Sequence, residues 1–193
     1  MNKEILTLSQ FKAGDIVLLA GTNIYERILQ WFMKLARRRK GLSVPKGLVA
    51  NHAGILINVN GRLCMGEVLN TVKTYPFPEA YYNYRERMKV LSPKKPYSVK
   101  EKEKLSRYVI DDSKLAYKYD VFGLLFQVKY ILSGKWVGPV GERADKRLYC
   151  TEAVAKWVNK VRPNTFTQQE AVNPLDIELN RYYNTVYDGT NIG

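Results

Sequence analysis

Two short apolar runs separated by an Asn-Gly pair give the clearest pattern in the chain. Ala53 to Val59 and Arg62 to Leu69 flank Asn60-Gly61, a two-residue turn signal that predicts an antiparallel hairpin. With Asn60 and Gly61 as the turn, Val59 pairs with Arg62, Gly54 with Glu67 and His52 with Leu69. Side chains alternate along a strand, so His52, Gly54 and Leu56 share a face with Leu63, Met65, Glu67 and Leu69. On that face His52 and Glu67 are diagonal neighbours, a gap that long side chains bridge. Cys64 falls on the opposite face.

Elsewhere the pattern alternates between strand and helix. Gly14-Asp15 is a turn ahead of a buried strand from Ile16 to Ala20. Thr22 or Asn23 caps a helix on which Ile24, Ile28, Trp31, Phe32 and Leu35 recur at helical spacing, and this stripe predicts a core-facing helix. Its end, Arg37-Arg38-Arg39-Lys40, suits the helix dipole without any ligand; contact with a membrane or a polyanion is the competing reading. Gly41 to Gly47, with Pro45, is a loop. Tyr75 to Tyr84 is aromatic and broken by proline, and predicts an irregular cover. Arg87 to Leu91 is a further strand. Ser98-Val-Lys-Glu101 is a capping box that opens a helix with Leu105, Tyr108 and Val109 facing inward. Tyr119-Asp120 precedes a helix from Val121 to Leu132, and Gly134 to Asp145 is a glycine-rich connection. Ala153, Val154, Trp157, Val158 and Val161 then place Cys150 at or near a helix N-terminus, with Pro163 closing that region. Asn173-Pro174-Leu175 and the tyrosine-bearing tail read as closing structure. No repeat or linker divides the chain, so the expectation is one α+β domain over residues 1–193.

Composition narrows the chemistry. Of 193 residues, 46% are hydrophobic and 12% aromatic, enough for a core without disulfides or metals. No apolar stretch is long enough to span a bilayer. Met1 to Gln10 lack the basic-then-apolar pattern of a secretory signal, so a cytoplasmic location is expected. Cys64 and Cys150 form no C-x-x-C pair, and His52 is the single histidine. A disulfide framework and a thiolate zinc site therefore lack support, and neither cofactor nor metal is expected. Thirty-one basic against eighteen acidic residues give a net charge of +13, which favours anionic partners: nucleic acid, an anionic lipid surface or an acidic wall polymer. No zinc-finger spacing, RNP-type motif or helix-turn-helix is visible. Oligomeric state is not legible.

Cysteine chemistry needs a thiolate, and a helix N-terminus or an adjacent imidazolium lowers a thiol's pKa. Cys150 has the first by local sequence, and the backbone N–H groups there can hold an oxyanion. His52 can supply the second and later protonate a leaving group, with Glu67 as the acceptor that orients its ring. Each residue also has a plainer reading: Cys150 as a small buried hydrophobe, His52 as a structural histidine, Glu67 as an edge position.

Gly14-Asp15-Ile-Val-Leu, Asn51-His52-Ala-Gly-Ile55, Gly66-Glu67, Tyr119-Asp120 and Tyr149-Cys150-Thr-Glu152, in that order, resemble the circularly permuted NlpC-type family of papain-like cysteine hydrolases, the YiiX-like proteins. The resemblance runs from about Gly14 to Pro174. It implies a circularly permuted papain-like α+β fold, with an antiparallel sheet packed against a nucleophile-bearing helix and a Cys150–His52–Glu67 triad. Thr151 stands where the family often has Ser. Tyr119 and Tyr149 are candidates for a substrate or oxyanion role, against a plain reading as core aromatics. The family implies reactions through a thioester: amidases or peptidases on wall peptides, ranked first, or acyl hydrolases and acyltransferases on lipids. A catalytically silent basic binding module is the reading outside enzymology.

Overall fold

The computed structural model describes residues 8–22, 24–115, 117–138 and 147–190. In chain order the elements are β1 (Ile16–Leu19), α1 (Ile24–Arg39), β2 (His52–Val59), β3 (Arg62–Val68), β4 (Val72–Pro76), α2 (Phe77–Tyr84) and β5 (Met88–Pro93). They continue with α3 (Val99–Lys114), β6 (Lys118–Tyr119), α4 (Val121–Ser133), β7 (Arg147–Leu148), α5 (Cys150–Val161), α6 (Pro174–Glu178) and β8 (Tyr183–Asp188). The protein is α+β. Its main sheet is antiparallel at every pairing and runs β4-β3-β2-β1-β5-β8 among the described residues. A second, two-stranded sheet pairs β6 with β7 in parallel.

The hairpin forms as its turn residues dictate. Asn60 and Gly61 have φ of 50° and 78°, the left-handed backbone that a type I′ turn requires at both central positions. Val59 faces Arg62 and Gly54 faces Glu67. Strand β3 stops at Val68, one residue short of the run read from the sequence, and Leu69 is exposed.

Alternation then sorts the side chains into two layers. On one face Ile16, Leu18, Ala53, Ile55, Ile57, Cys64 and Val68 pack with Leu105 and Val109 of α3 and with Ala153, Val154 and Trp157 of α5. On the other, Val17, Leu19, Leu56, Met65 and Met88 lie with Phe11, Phe77 and Ala80. Helices α3 and α5 are tied by a buried polar knot. Asp112 accepts from Trp157 Nε1 at 2.7 Å and from Lys156 Nζ at 3.3 Å, and Lys156 also donates to the Tyr117 hydroxyl at 3.1 Å. The predicted capping box on α3 is present, with both Ser98–Glu101 hydrogen bonds made.

Two expectations need correction. Tyr75 to Tyr84 is regular structure: it completes β4 and forms α2. Its prolines do not prevent this, because Pro76 ends the strand and Pro78 lies in the first turn of the helix, where a missing N–H costs nothing. The apolar stripe of α1 faces the core only in part: Phe32 packs against a buried cluster and Leu35 is half-buried, but the rest points outward. Ile24, Ile28 and Trp31 are 68%, 52% and 59% exposed, and the helix buries Met33 and Ala36 instead, against Val49, Ile131 and Leu175. Met33 and Ala36 lie on the other side of the helix from Ile24, Ile28 and Trp31. Of the predicted connection from Gly134 to Asp145, the part at 139–145 lies outside the described residues.

Candidate active site

His52 opens β2 and Glu67 nearly closes β3, so the hairpin brings them to one end of the sheet. His52 Nε2 and Glu67 Oε2 are 2.6 Å apart. The diagonal relation predicted from the register is thus a direct contact. Gly54 sits between them in the ladder, and a Cβ there would lie 2.5 Å from Met65 Cε and 3.3 Å from Glu67 Cβ. Its bare backbone leaves Glu67 room to lean towards the histidine. The other Glu67 oxygen, Oε1, accepts from the Tyr75 hydroxyl at 2.6 Å. Tyr75 reaches it because β4 pairs with β3 and sets Tyr75 opposite Met65, one alternation from Glu67. No reading of the sequence singled out Tyr75. The signal was the short Leu69-Asn70-Thr71 turn ahead of an alternating Val72-Lys-Thr-Tyr-Pro run.

Cys150 is the first residue of α5 and is 4% exposed. Its helix packs on the face of the sheet opposite His52, and its N-terminus meets the histidine at the start of β2. The Cys150 side chain hydrogen-bonds His52 and accepts from the backbone N–H groups of Ala53 and Thr151. With Nε2 committed to Glu67, Nδ1 is the ring nitrogen left for the sulfur. The parallel bridge of β6 to β7 sets Tyr119 beside Leu148, two residues before the cysteine, and the Tyr119 side chain also hydrogen-bonds Cys150. Tyr149 is fully buried, and its hydroxyl donates to the Glu170 carbonyl. Cys64 packs in the layer with Ala53, Ile55 and Ile57, five places along the strand from His52 in the β2–β3 register.

Electrostatics separates the two thiols. Burial pushes the Cys64 thiol up, and Arg62 offsets this only in part. Burial opposes the Cys150 thiolate as well, but the His52 charge, its hydrogen bond and the two backbone donors outweigh it, so the Cys150 pKa is lowered. For His52, burial again opposes charge; the Cys150 thiolate, then Glu67, overcome it and push the imidazole up to about 10. Glu67 is lowered despite burial, through His52 and the Tyr75 hydroxyl. Buried beside these anions, the Tyr75 and Tyr119 hydroxyls are pushed up and remain protonated donors. The result is a line of contacts, Tyr75–Glu67–His52–Cys150–Tyr119, in which the thiol is shifted down and the imidazole up.

The surroundings hold this line in place. Asn51 Oδ1 accepts from the Gly21 N–H at 2.8 Å, and Gln30 caps the Gly21 carbonyl, which fixes the β1–α1 connection beside His52. A cavity of about 120 Å³ opens on the histidine, lined by Leu19, Gly21, Glu26, His52, Glu67 and Arg87 among others. A larger cavity of about 350 Å³ lies elsewhere, between Tyr130 and the segment from Asn164 to Tyr182.

No family model matches the chain, and no curated protein matches it. Among solved structures it is similar to the crystal structure of the metalloprotein YiiX from Escherichia coli O157:H7. The TM-score is 0.54 and the sequence identity 16%, over 93% of this chain and 98% of that one. The likeness is one of fold. Among the described residues here, no group of three or more His, Cys, Asp and Glu side chains is placed to hold a metal ion. The one histidine is already committed to Glu67 and Cys150, so the donor set at the site does not fit a metal centre. No helix among the described residues is long and apolar enough to cross a membrane.

Proposed function

We propose that this protein is a thiol-dependent hydrolase of circularly permuted papain-like type, acting through a thioester. Cys150 is the nucleophile, His52 the acid and base, and Glu67 the group that orients His52. The observation that carries this reading is the Cys150–His52–Glu67 contact line at the N-terminus of α5, with the thiol pKa lowered and the imidazole raised.

In this mechanism the Cys150 thiolate attacks a carbonyl carbon and forms the C–S bond. Charge developing on the carbonyl oxygen meets the Tyr119 hydroxyl and the backbone N–H groups at the helix start. The C–N bond breaks as protonated His52 gives its proton to the leaving nitrogen. Neutral His52 then takes a proton from water, the resulting hydroxide attacks the thioester, the C–S bond breaks, and the carboxylic acid leaves and gives its proton to solvent as the thiolate and imidazolium are restored. Glu67 keeps the ring aimed throughout, and Tyr75 keeps Glu67 aimed. An amide in an acidic wall-type peptide is the substrate that suits the net charge of +13. A lipid ester is the second reading, favoured by the exposed Ile24, Ile28 and Trp31 on α1.

Purified protein incubated with muropeptides and, separately, with phospholipid vesicles tests both. Amide cleavage that Cys150→Ala and His52→Ala abolish and Cys64→Ala leaves nearly intact is the expected outcome. Fatty-acid release with untouched muropeptides would reverse the ranking of substrates. Turnover that survives Cys150→Ala would remove the mechanism.

A further inference from the structure

Helix α1 carries its larger apolar side chains outward. Ile24, Ile28 and Trp31, at i, i+4 and i+7, form one exposed stripe, with exposed Arg27 between them and exposed Arg38 two turns beyond Trp31. Neighbouring α4 repeats the arrangement: Leu125 and Leu132 are 61% and 43% exposed, Lys129 lies between them, and Lys135 and Val137 follow, also exposed. The two helices are held side by side. Arg39 donates to the carbonyls of Ile131 and Leu132 at the end of α4, and Met33, Ala36 and Ile131 share a cluster. The sequence of α1 contains one acidic residue, Glu26, and that of α4 contains none. Of the basic run at the end of α1, Arg37 and Lys40 are engaged by Glu178 and Asp176. The exposed cations beside the apolar residues are therefore Arg27, Arg38, Lys129 and Lys135.

A soluble surface gains nothing from a stripe of Ile, Ile and Trp in water. Large apolar side chains interleaved with cations, on helices too short or too charged to span a bilayer, match the interfacial type of membrane contact. We propose that the outer faces of α1 and α4 form a peripheral docking surface for an anionic phospholipid membrane. The apolar side chains enter the headgroup–acyl boundary while the arginines and lysines meet lipid phosphates. The surface is separate from the Cys150–His52–Glu67 line, and binding does not require turnover. Because α1 begins next to the Gly21 and Glu26 lining of the His52 cavity, docking would bring that opening close to the lipid surface.

The test uses the full chain, as wild type and as Cys150→Ala, in flotation with vesicles of phosphatidylcholine alone or with about 30% phosphatidylglycerol, an anionic content that attracts basic surfaces. Expected is binding to the anionic vesicles by both proteins, weak binding to the neutral ones, and a blue shift of Trp31 emission that Trp31→Phe removes. Ile28→Ser with Leu125→Ser should weaken binding at least about tenfold, and Arg27→Glu with Arg38→Glu similarly, at roughly fivefold per charge removed. All four sites are exposed, and circular dichroism checks that the variants stay folded. Three results would overturn the proposal: no binding to anionic vesicles, binding that none of these substitutions changes, or a wild-type dimer in sedimentation that Ile28→Ser and Leu125→Ser dissociate. The last would assign the face to a second copy of this chain. Loss of hydrolysis in Cys150→Ala with vesicle binding retained separates this surface from the catalytic reading.

Discussion

At the scale of single residues, His52 is where opposing forces meet. Burial works against its charge, and only the neighbouring thiolate and carboxylate keep it protonated, up to about 10. The sign of each change follows. Replacing Cys150 by Ala removes the anion that contributes most, leaving burial against Glu67 alone, so the His52 pKa should fall. Glu67→Gln keeps an acceptor oxygen but not the charge, so it should lower His52 less than Cys150→Ala and impair turnover less than His52→Ala. The chain has one histidine, and its titration is a single ring signal in NMR. Wild type should stay protonated through neutral pH and lose its proton near pH 10, with turnover falling as that acid is lost. A His52 that titrates at the ordinary 6.5 in wild type and Cys150→Ala alike would mean that the thiolate–imidazolium pair does not form.

At the scale of elements, placing Cys150 depends on how α5 is seated, and α5 is pinned to α3 by Asp112. That carboxylate is buried and accepts from both Trp157 and Lys156. Truncating it strands an indole N–H and leaves the Lys156 ammonium with only Tyr117 in the layer above the sheet. Asp112→Ala should cost about 2–4 kcal/mol, the range for breaking a buried pair and leaving its partners unsatisfied. Asp112→Asn, which keeps an acceptor, should cost less. Urea unfolding measures both, and a loss within about 0.5 kcal/mol for Asp112→Ala, typical of surface substitutions, would mean that the knot does not hold the helices. The same element shows what periodicity can convey. Helical spacing from Ala153 to Val161 located the helix and put Cys150 at or near its start, whereas the similar spacing in α1 identified a helix but assigned its outer face to the core. Periodicity reports that one side is apolar; which side is covered depends on neighbours far away in sequence, here α4 and α6.

At the scale of the whole molecule, β8 forms one edge of the main sheet. Strand β8 pairs with β5 and buries Tyr183, whose ring stacks on Phe166 at 6.3 Å. Lys89 of β5 bridges Asp188 and Glu178 at 3.0 and 2.8 Å. Truncation after Asn180 removes that ladder, opens an edge next to β1 and unpairs Lys89 from Asp188. The shortened chain should melt roughly 10 °C lower or more, at 2–4 °C per kcal/mol for a chain of this size. It should also tend to aggregate through the bared strand. Thermal melting and sedimentation of both lengths check this, and an unchanged Tm would show that β8 is an accessory to the sheet.

Sequence alone determined what short-range rules govern. Asn60-Gly61 set a turn, the turn set a register, and the register put Glu67 within reach of His52. Ser98 and Glu101 set a helix start, and an apolar repeat set Cys150 at or near another. Each of these depends on residues within about one hairpin or one helix of each other. Tertiary structure decided the rest. It brought Cys150 past the end of β2 to His52, although its helix packs on the opposite face of the sheet. Parallel pairing with β7 brought Tyr119 to the sulfur, and Tyr75 reached Glu67 from a segment whose prolines suggested no strand. It also turned Ile24, Ile28 and Trp31 outward. The physical reason is the same in each case: local sequence fixes the period and the ends of an element, while the contacts between elements are fixed by which of their faces can be buried together.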